Sequence, residues 1–276
     1  MTMASISDYS HLDRPEILMR LFHPRPEYRG REKPENAIDL MIPVEGDLVV
    51  GGRFHLTSKS APNILFFHGN GEIVADYDQM GPLYNRMGVN FLPVDYRGYG
   101  RSSGEPSITA MMRDCHVIFE FTRKWIETNG YNASLIAMGR SLGSASVLEL
   151  ASQYRDRIDG LIVESGFALG GPLLQLIGLN LAAIGFREEK SFRNLEKIRN
   201  WDKPALIIHA EYDHIIPFSE AQALYDTCPS KAKTLLKIPG ANHNDIHAVG
   251  LTEYMREVKI LTERAARHSP QDERAF

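Results

Sequence analysis

Ser141 stands in Gly139-Arg140-Ser141-Leu142-Gly143, a G-x-S-x-G arrangement that follows an apolar run ending at Met138 and precedes a stretch of helical character. A sharp turn between strand and helix would present the hydroxyl above a sheet, where a nucleophile can meet a substrate. The flanking glycines lack a Cβ, so neighbouring backbone can crowd the turn. A second match, Gly100-Arg101-Ser102-Ser103-Gly104, acts as an internal control. It follows Asp95-Tyr96-Arg97-Gly98-Tyr99 and precedes Glu105-Pro106, which is loop chemistry on both sides. Ser141 is therefore the candidate nucleophile, set against the plainer reading of a helix-capping serine, and Ser102 is read as a loop residue.

A serine hydroxyl becomes an effective nucleophile when a base takes its proton, and that base is commonly a histidine oriented by a carboxylate. Of the ten histidines, His243 lies in Pro239-Gly240-Ala241-Asn242-His243, directly after an apolar run ending at Ile238. His247 could share a helical face with it, but Asp245 completes no H-E-x-x-H motif, so no metal site is read. His209 and His214 are read as structural. The acid should follow an intervening strand. Asp213, in Glu211-Tyr212-Asp213-His214-Ile215-Ile216-Pro217, is placed for this, with Glu164 as the alternative. The order Ser141, Asp213, His243, with spacings of 72 and 30 residues, is one that supports acyl transfer. That chemistry also needs donors for a developing oxyanion. The Leu142 amide is one candidate, and the Asn70 amide in His68-Gly69-Asn70-Gly71-Glu72 is the other. The plainer reading of the second loop is a glycine-rich turn with Glu72 favouring the dipole of a following helix.

Elements that could position these residues are visible on either side. Ala37–Val44 and Leu48–Leu56 alternate apolar and polar residues across Glu45-Gly46-Asp47, which predicts an antiparallel hairpin. Continuously apolar runs follow at 63–67, 89–94, 135–138, 161–163, 205–208 and 234–238, as expected of strands covered on both faces. Helices are predicted over 108–128, 142–154, 219–226 and 252–267. The alternation gives an α/β fold with a mostly parallel sheet, whose ligands belong beyond the carboxyl ends of the strands. No internal repeat is visible. Residues 23–35 are loosely linker-like, and 268–276 form a polar tail expected to fray.

The chain has 276 residues, 43% hydrophobic and 24% charged, which excludes collagenous, disordered and disulfide-built classes. Its formal charge of −4 offers no bulk attraction to nucleic acid or anionic lipid. Cys115 and Cys228 show no metal-ligand spacing, and a reduced, cytoplasmic protein is expected. Residues 1–20 carry Asp8, Asp13, Arg14 and Glu16 and lack the apolar region of a secretory signal. Ser165–Phe186 is uncharged, but Gly166, Gly170, Gly171, Pro172, Gln175 and Asn180 argue against a membrane span.

Taken in order, HGNGE at 68–72, DYRGYGRSSG at 95–104, GRSLGS at 139–144, EYDHIIP at 211–217 and GANH at 240–243 resemble the α/β-hydrolase superfamily. Within it, the chain is similar to serine hydrolases of the ABHD13/ABHD17 and Bem46-like groups, over about residues 42–260. The resemblance implies a twisted, mostly parallel sheet with helices on both faces in one domain. The implied core covers about 36–265, with a small helical cap insertion at about 167–200. It also implies Ser141, Asp213 and His243 as the triad, His68–Glu72 as the oxyanion loop, and no metal or organic cofactor. Relatives carry an N-terminal membrane segment or lipidated cysteines, which this sequence does not show, so no integral membrane segment or depalmitoylating role is carried over. Leu173, Ile177, Leu181 and Ile184 recur at helical spacing in the insertion, which suggests an apolar wall for an acyl chain. The expected partner is a small-molecule ester or thioester, cleaved through an acyl-enzyme, rather than a nucleic acid. A peptidase or amidase of the same fold is the rival, and a non-catalytic binding protein a further one. Physiological substrate and oligomeric state are not legible.

Overall fold

The structure is a computed structural model that describes residues 8–28, 30 and 32–267. Residues 1–7, where the stretch read as lacking a signal begins, and the predicted polar tail at 268–276 lie outside the described residues. In chain order the elements are α1 (Pro15–Leu21), β1 (Ala37–Glu45), β2 (Leu48–His55), β3 (Asn63–Phe67), α2 (Gly81–Arg86), β4 (Asn90–Val94), α3 (Ile108–Thr128) and β5 (Leu135–Arg140). Then come α4 (Gly143–Gln153), β6 (Gly160–Glu164), α5 (Gly170–Leu176), α6 (Asn194–Ile198), β7 (Ala205–Ala210), α7 (Phe218–Thr227), β8 (Lys233–Ile238) and α8 (Ile246–Arg267).

The strands form one sheet in the order β1-β2-β4-β3-β5-β6-β7-β8. The β1/β2 hairpin joins β4 antiparallel, and every later pairing is parallel. Every residue of β3 through β7 is buried, because helices cover both faces. Alternate residues feed two separate cores. Leu65, Phe67, Ala137, Val163 and Ile207 pack against α3, α4 and α7, whereas Ile64, Phe66, Met138, Ile162 and Ile208 pack against α2 and α8. This period of two inside uniformly apolar runs distinguishes a doubly covered strand from a buried helix segment.

The chain lays down β4 on one side of β3 and then crosses to place β5 on the other. The strand order therefore reverses between β3 and β5, the point at which sheets of this kind bind ligands. Phe67 pairs with Gly139, Arg140 with Glu164, and Ala210 with Ile238, so the loops carrying Asn70, Ser141, Asp213 and His243 all leave the carboxyl edge.

Several elements differ from expectation. Helix α8 begins at Ile246 rather than 252, bending at Gly250, whose absent Cβ would lie 2.5 Å from Ile238 Cγ2. The linker-like residues are pinned in part: the Glu27 amide donates to Gly100 O at 3.0 Å and the Gly100 amide to Arg25 O at 2.9 Å. The apolar periodicity of the insertion runs beyond its helix. Helix α5 stops at Leu176 because Gly178 takes φ +82°, and Ile177, Leu181 and Ile184 pack on the core from irregular backbone. No helix among the described residues is long and apolar enough to cross a membrane.

Candidate active site

Ser141 follows β5 directly and holds φ at 50°, a left-handed conformation uncommon for a residue with a side chain. The turn closes because its flanking glycines leave room. A Cβ on Gly143 would sit 2.1 Å from Phe67 O, and one on Gly139 would sit 2.3 Å from Gly143 O. The Ser141 amide donates to Glu164 O at 2.8 Å, and its carbonyl accepts the Ser144 hydroxyl at 2.6 Å. Both ends of the strained residue are thus fixed while the hydroxyl is left for other partners.

One such partner is His243, on the loop after β8 and only 4% exposed. Its Nε2 lies 3.2 Å from Ser141 Oγ, and its Nδ1 lies 2.7 Å from Asp213 Oδ2. An ionised carboxylate can only accept, so Nδ1 carries the proton donated to Asp213, and Nε2 presents its lone pair to the serine hydroxyl. Asp213 is held by the Ile215 and Ile216 amides, which donate to Oδ1 at 2.9 and 2.7 Å. His209 lies beneath it, 3.3 Å from Oδ2, with Nε2 donating to Ile216 O at 2.7 Å. Burial pushes the Asp213 carboxyl upward, but the hydrogen bond and charge of His243 and the Ile216 amide outweigh it and hold the pKa below the ordinary value. The acid stays ionised at neutral pH.

The other candidates fall elsewhere. Glu164 makes no bond to His243; its carboxylate accepts from Arg140 and Tyr254. Ser102 Oγ accepts the Gly51 amide at 2.9 Å in a loop against β2. The His247 ring packs edge-on against Tyr254 with centroids 4.7 Å apart, turned to a different task from His243. Asn70 lies on the loop after β3, its side-chain oxygen accepting the His23 amide and the Tyr99 hydroxyl at 2.9 and 2.7 Å. Among the described residues, neither the Asn70 nor the Leu142 amide is found donating a hydrogen bond within the fold, as a donor kept for an external oxygen requires. Glu72 caps no helix. Its carboxylate turns back to accept the Gly69 amide at 2.7 Å.

Sequence reasoning passed over Arg140, the unassigned position of the G-x-S-x-G stretch. The residue is 7% exposed, and its guanidinium reaches Glu72, Glu164 and the carbonyl of His243. The available signal was a charged residue ending an apolar strand beside another strand that ends in a carboxylate.

The sheet order, with a left-handed serine directly after β5, is that of the α/β-hydrolase fold, and the chain belongs to the α/β-hydrolase superfamily. Within it, the chain is similar to the α/β hydrolase domain-containing protein 17 group. It is 32% identical over 208 residues to protein 17C of Mus musculus and of Homo sapiens, covering 73% of this chain and 59% and 58% of theirs. The chain thus spans about three fifths of the length of these curated relatives. Residues 58–184 match the family described as Hydrolase_4, serine aminopeptidase, S33. In fold it is similar to an esterase of Pyrococcus furiosus, with TM-score 0.71 and 17% identity, covering 88% of this chain and 99% of that one. It is likewise similar to a monoacylglycerol lipase of Paleococcus ferrophilus, with TM-score 0.59 and 18% identity, covering 79% and 100%.

Proposed function

We propose that the chain is a serine hydrolase that cleaves carboxylic esters or thioesters of small acyl substrates, with Ser141 as nucleophile, His243 as base and Asp213 as the orienting acid. The observation that carries this reading is the continuous relay from Asp213 Oδ2 through His243 to Ser141 Oγ, at 2.7 and 3.2 Å. As Oγ attacks the carbonyl, His243 Nε2 takes the serine proton and the amides of Leu142 and Asn70 receive the oxyanion. The tetrahedral adduct collapses, His243 passes the proton to the leaving alcohol or thiol, and water hydrolyses the acyl-enzyme by the same steps. No metal or organic cofactor takes part in this scheme.

A mostly apolar cavity of about 130 Å³ beside the acid loop, which also meets His214 and Glu220, supports a short acyl group. Phe167, Leu173, Leu176, Ile215 and Ile216 supply its apolar lining. The fold likeness to an esterase and a monoacylglycerol lipase supports the same substrate class. The free, buried thiols of Cys115 and Cys228 fit a reducing, cytoplasmic setting.

Peptide hydrolysis is a second reading, favoured by the family description that residues 58–184 match. Hydrolysis of p-nitrophenyl acetate, butyrate, octanoate and palmitate, beside aminoacyl p-nitroanilides, separates the two. The expected outcome is turnover of the shorter esters that is lost in Ser141→Ala, with little or no anilide cleavage. Anilide turnover exceeding that of every ester would favour the peptidase. A rate indifferent to acyl length but rising with substrate charge would contradict the acyl pocket.

A further inference from the structure

Three loops must keep a fixed spacing if Ser141, His243 and the Asn70 amide are to act on one carbonyl, and each loop leaves a different strand. One buried side chain reaches all of them. Arg140 Nε donates to Glu164 Oε1 at 3.1 Å, Nη1 donates to Glu72 Oε1, and Nη2 donates to the carbonyl oxygen of His243 at 2.7 Å. Each partner extends the connection. Glu72 Oε2 accepts the Gly69 amide and the Tyr77 hydroxyl, both at 2.7 Å, and so ties the guanidinium to the loop that carries Asn70. Glu164 Oε2 accepts the Tyr254 hydroxyl at 2.8 Å, while its backbone oxygen accepts the Ser141 amide at 2.8 Å. Arg140 itself precedes the nucleophile in sequence. The guanidinium therefore joins the serine turn, the histidine loop and the oxyanion loop through planar, charge-assisted bonds.

We propose that Arg140 is a positioning residue whose guanidinium, acting through Glu72, Glu164 and the His243 carbonyl, sets the relative placement of the nucleophile, base and oxyanion loop. This rests on the reading of Ser141 as nucleophile. The geometry calls for arginine specifically. A lysine ammonium carries the same charge as a compact point on a flexible stem, and it cannot hold three acceptors in separate directions in one plane. Substitution by lysine thus preserves charge and removes the fork. Small misplacements of reacting groups lower the rate of the chemical step far more than they weaken substrate binding.

The test uses the full chain with Arg140→Lys and Glu72→Gln. Each is assayed for kcat and KM on p-nitrophenyl butyrate, for the rate of fluorophosphonate labelling and for thermal midpoint. Arg140→Lys is expected to lower kcat by about tenfold to a hundredfold with KM within about twofold, and to slow labelling in parallel. Glu72→Gln, at a side chain 23% exposed, leaves Arg140 the Glu164 carboxylate as counter-charge, so it is expected to fold even if the arginine variant does not. It is expected to lower kcat by about threefold to tenfold with KM unchanged. A merely structural role would lower the thermal midpoint and leave kcat intact below it. The proposal is overturned if folded Arg140→Lys or Glu72→Gln turns over at the wild-type rate, or if the whole loss lies in KM. Wild-type protein that is labelled at Ser141 isolates that failure to Arg140. Wild-type protein that is not labelled there removes the nucleophile reading and this inference together.

Discussion

Asp213 and Glu164 compete for one role, and distance separates them. The Asp213 carboxylate meets His243 Nδ1 at 2.7 Å, whereas Glu164 is engaged by Arg140 and Tyr254. Asparagine at 213 would present an amide that can hold the imidazole in the wrong tautomer, with its proton on Nε2 facing the serine. Asp213→Asn is therefore expected to lower kcat by about 10,000-fold while the far-ultraviolet circular dichroism stays unchanged. A loss below about tenfold would show that another group orients His243. The proposed triad was legible in the sequence because Ser141, Asp213 and His243 each follow an apolar run closely. Arg140 was not. Its role depends on three acceptors from 68, 24 and 103 residues away, and no local pattern announces such convergence.

At the scale of elements, strands were legible from composition, but their exact ends and their packing partners were not. Helix α8 starts early because Gly250 fits against Ile238, a contact set by tertiary approach rather than by helical propensity. The meeting of β2 and α2 is of the same kind. His55 is 1% exposed, and the absent Cβ of Gly81 would lie 2.2 Å from its Nδ1. Burial, with the charge of Arg53 adding to it, pushes the His55 pKa down to about 4. The unfolded chain, with an ordinary pKa of about 6.5, takes up this proton before the folded chain does. Stability from a neutral buried His55 is thus fully present above about pH 6.5 and is lost as pH falls toward 4, by roughly 3 kcal/mol at most. Urea midpoints measured across this window are expected to decline on acidification, and His55→Leu is expected to flatten that decline. Parallel slopes in the two proteins would assign the acid sensitivity elsewhere.

Across the whole molecule, segments distant in sequence meet at one buried polar cluster. The Tyr9 hydroxyl donates to Glu149 Oε2 at 3.0 Å, Lys197 Nζ lies 2.7 Å from the same oxygen, and His116 Nε2 lies 3.5 Å from Oε1. The N-terminal segment, α4 of the serine turn, α3 and α6 of the insertion are thereby joined. Burial raises the Glu149 carboxyl, but His116 and Lys197 outweigh it and bring the pKa down to about 2. This contribution is present above the ordinary carboxylate value of about 4.5 and is lost as pH falls from there toward 2. Hydrogen exchange at pH 3 is expected to show residues 8–22 and 167–200 opening before β3 to β7. Glu149→Gln should bring the same opening to neutral pH, because Lys197 then loses its buried counter-charge. Uniform exchange across the chain at pH 3 would contradict this order. No periodic pattern announces the N-terminal packing, since Tyr9, Leu12, Ile17, Leu21 and Phe22 enter the core from short, mixed elements. The sheet order also lay beyond local reading, although the parallel α/β class did not.

The central claim is that Ser141 is an activated nucleophile, and fluorophosphonate labelling of the wild type, Ser141→Ala and Ser102→Ala at neutral pH tests it most directly. The account predicts one adduct per chain, mapped by mass spectrometry to the peptide containing Ser141, present in Ser102→Ala and absent from Ser141→Ala. Folded wild-type protein that takes up no probe, or labelling that persists in Ser141→Ala, would contradict it.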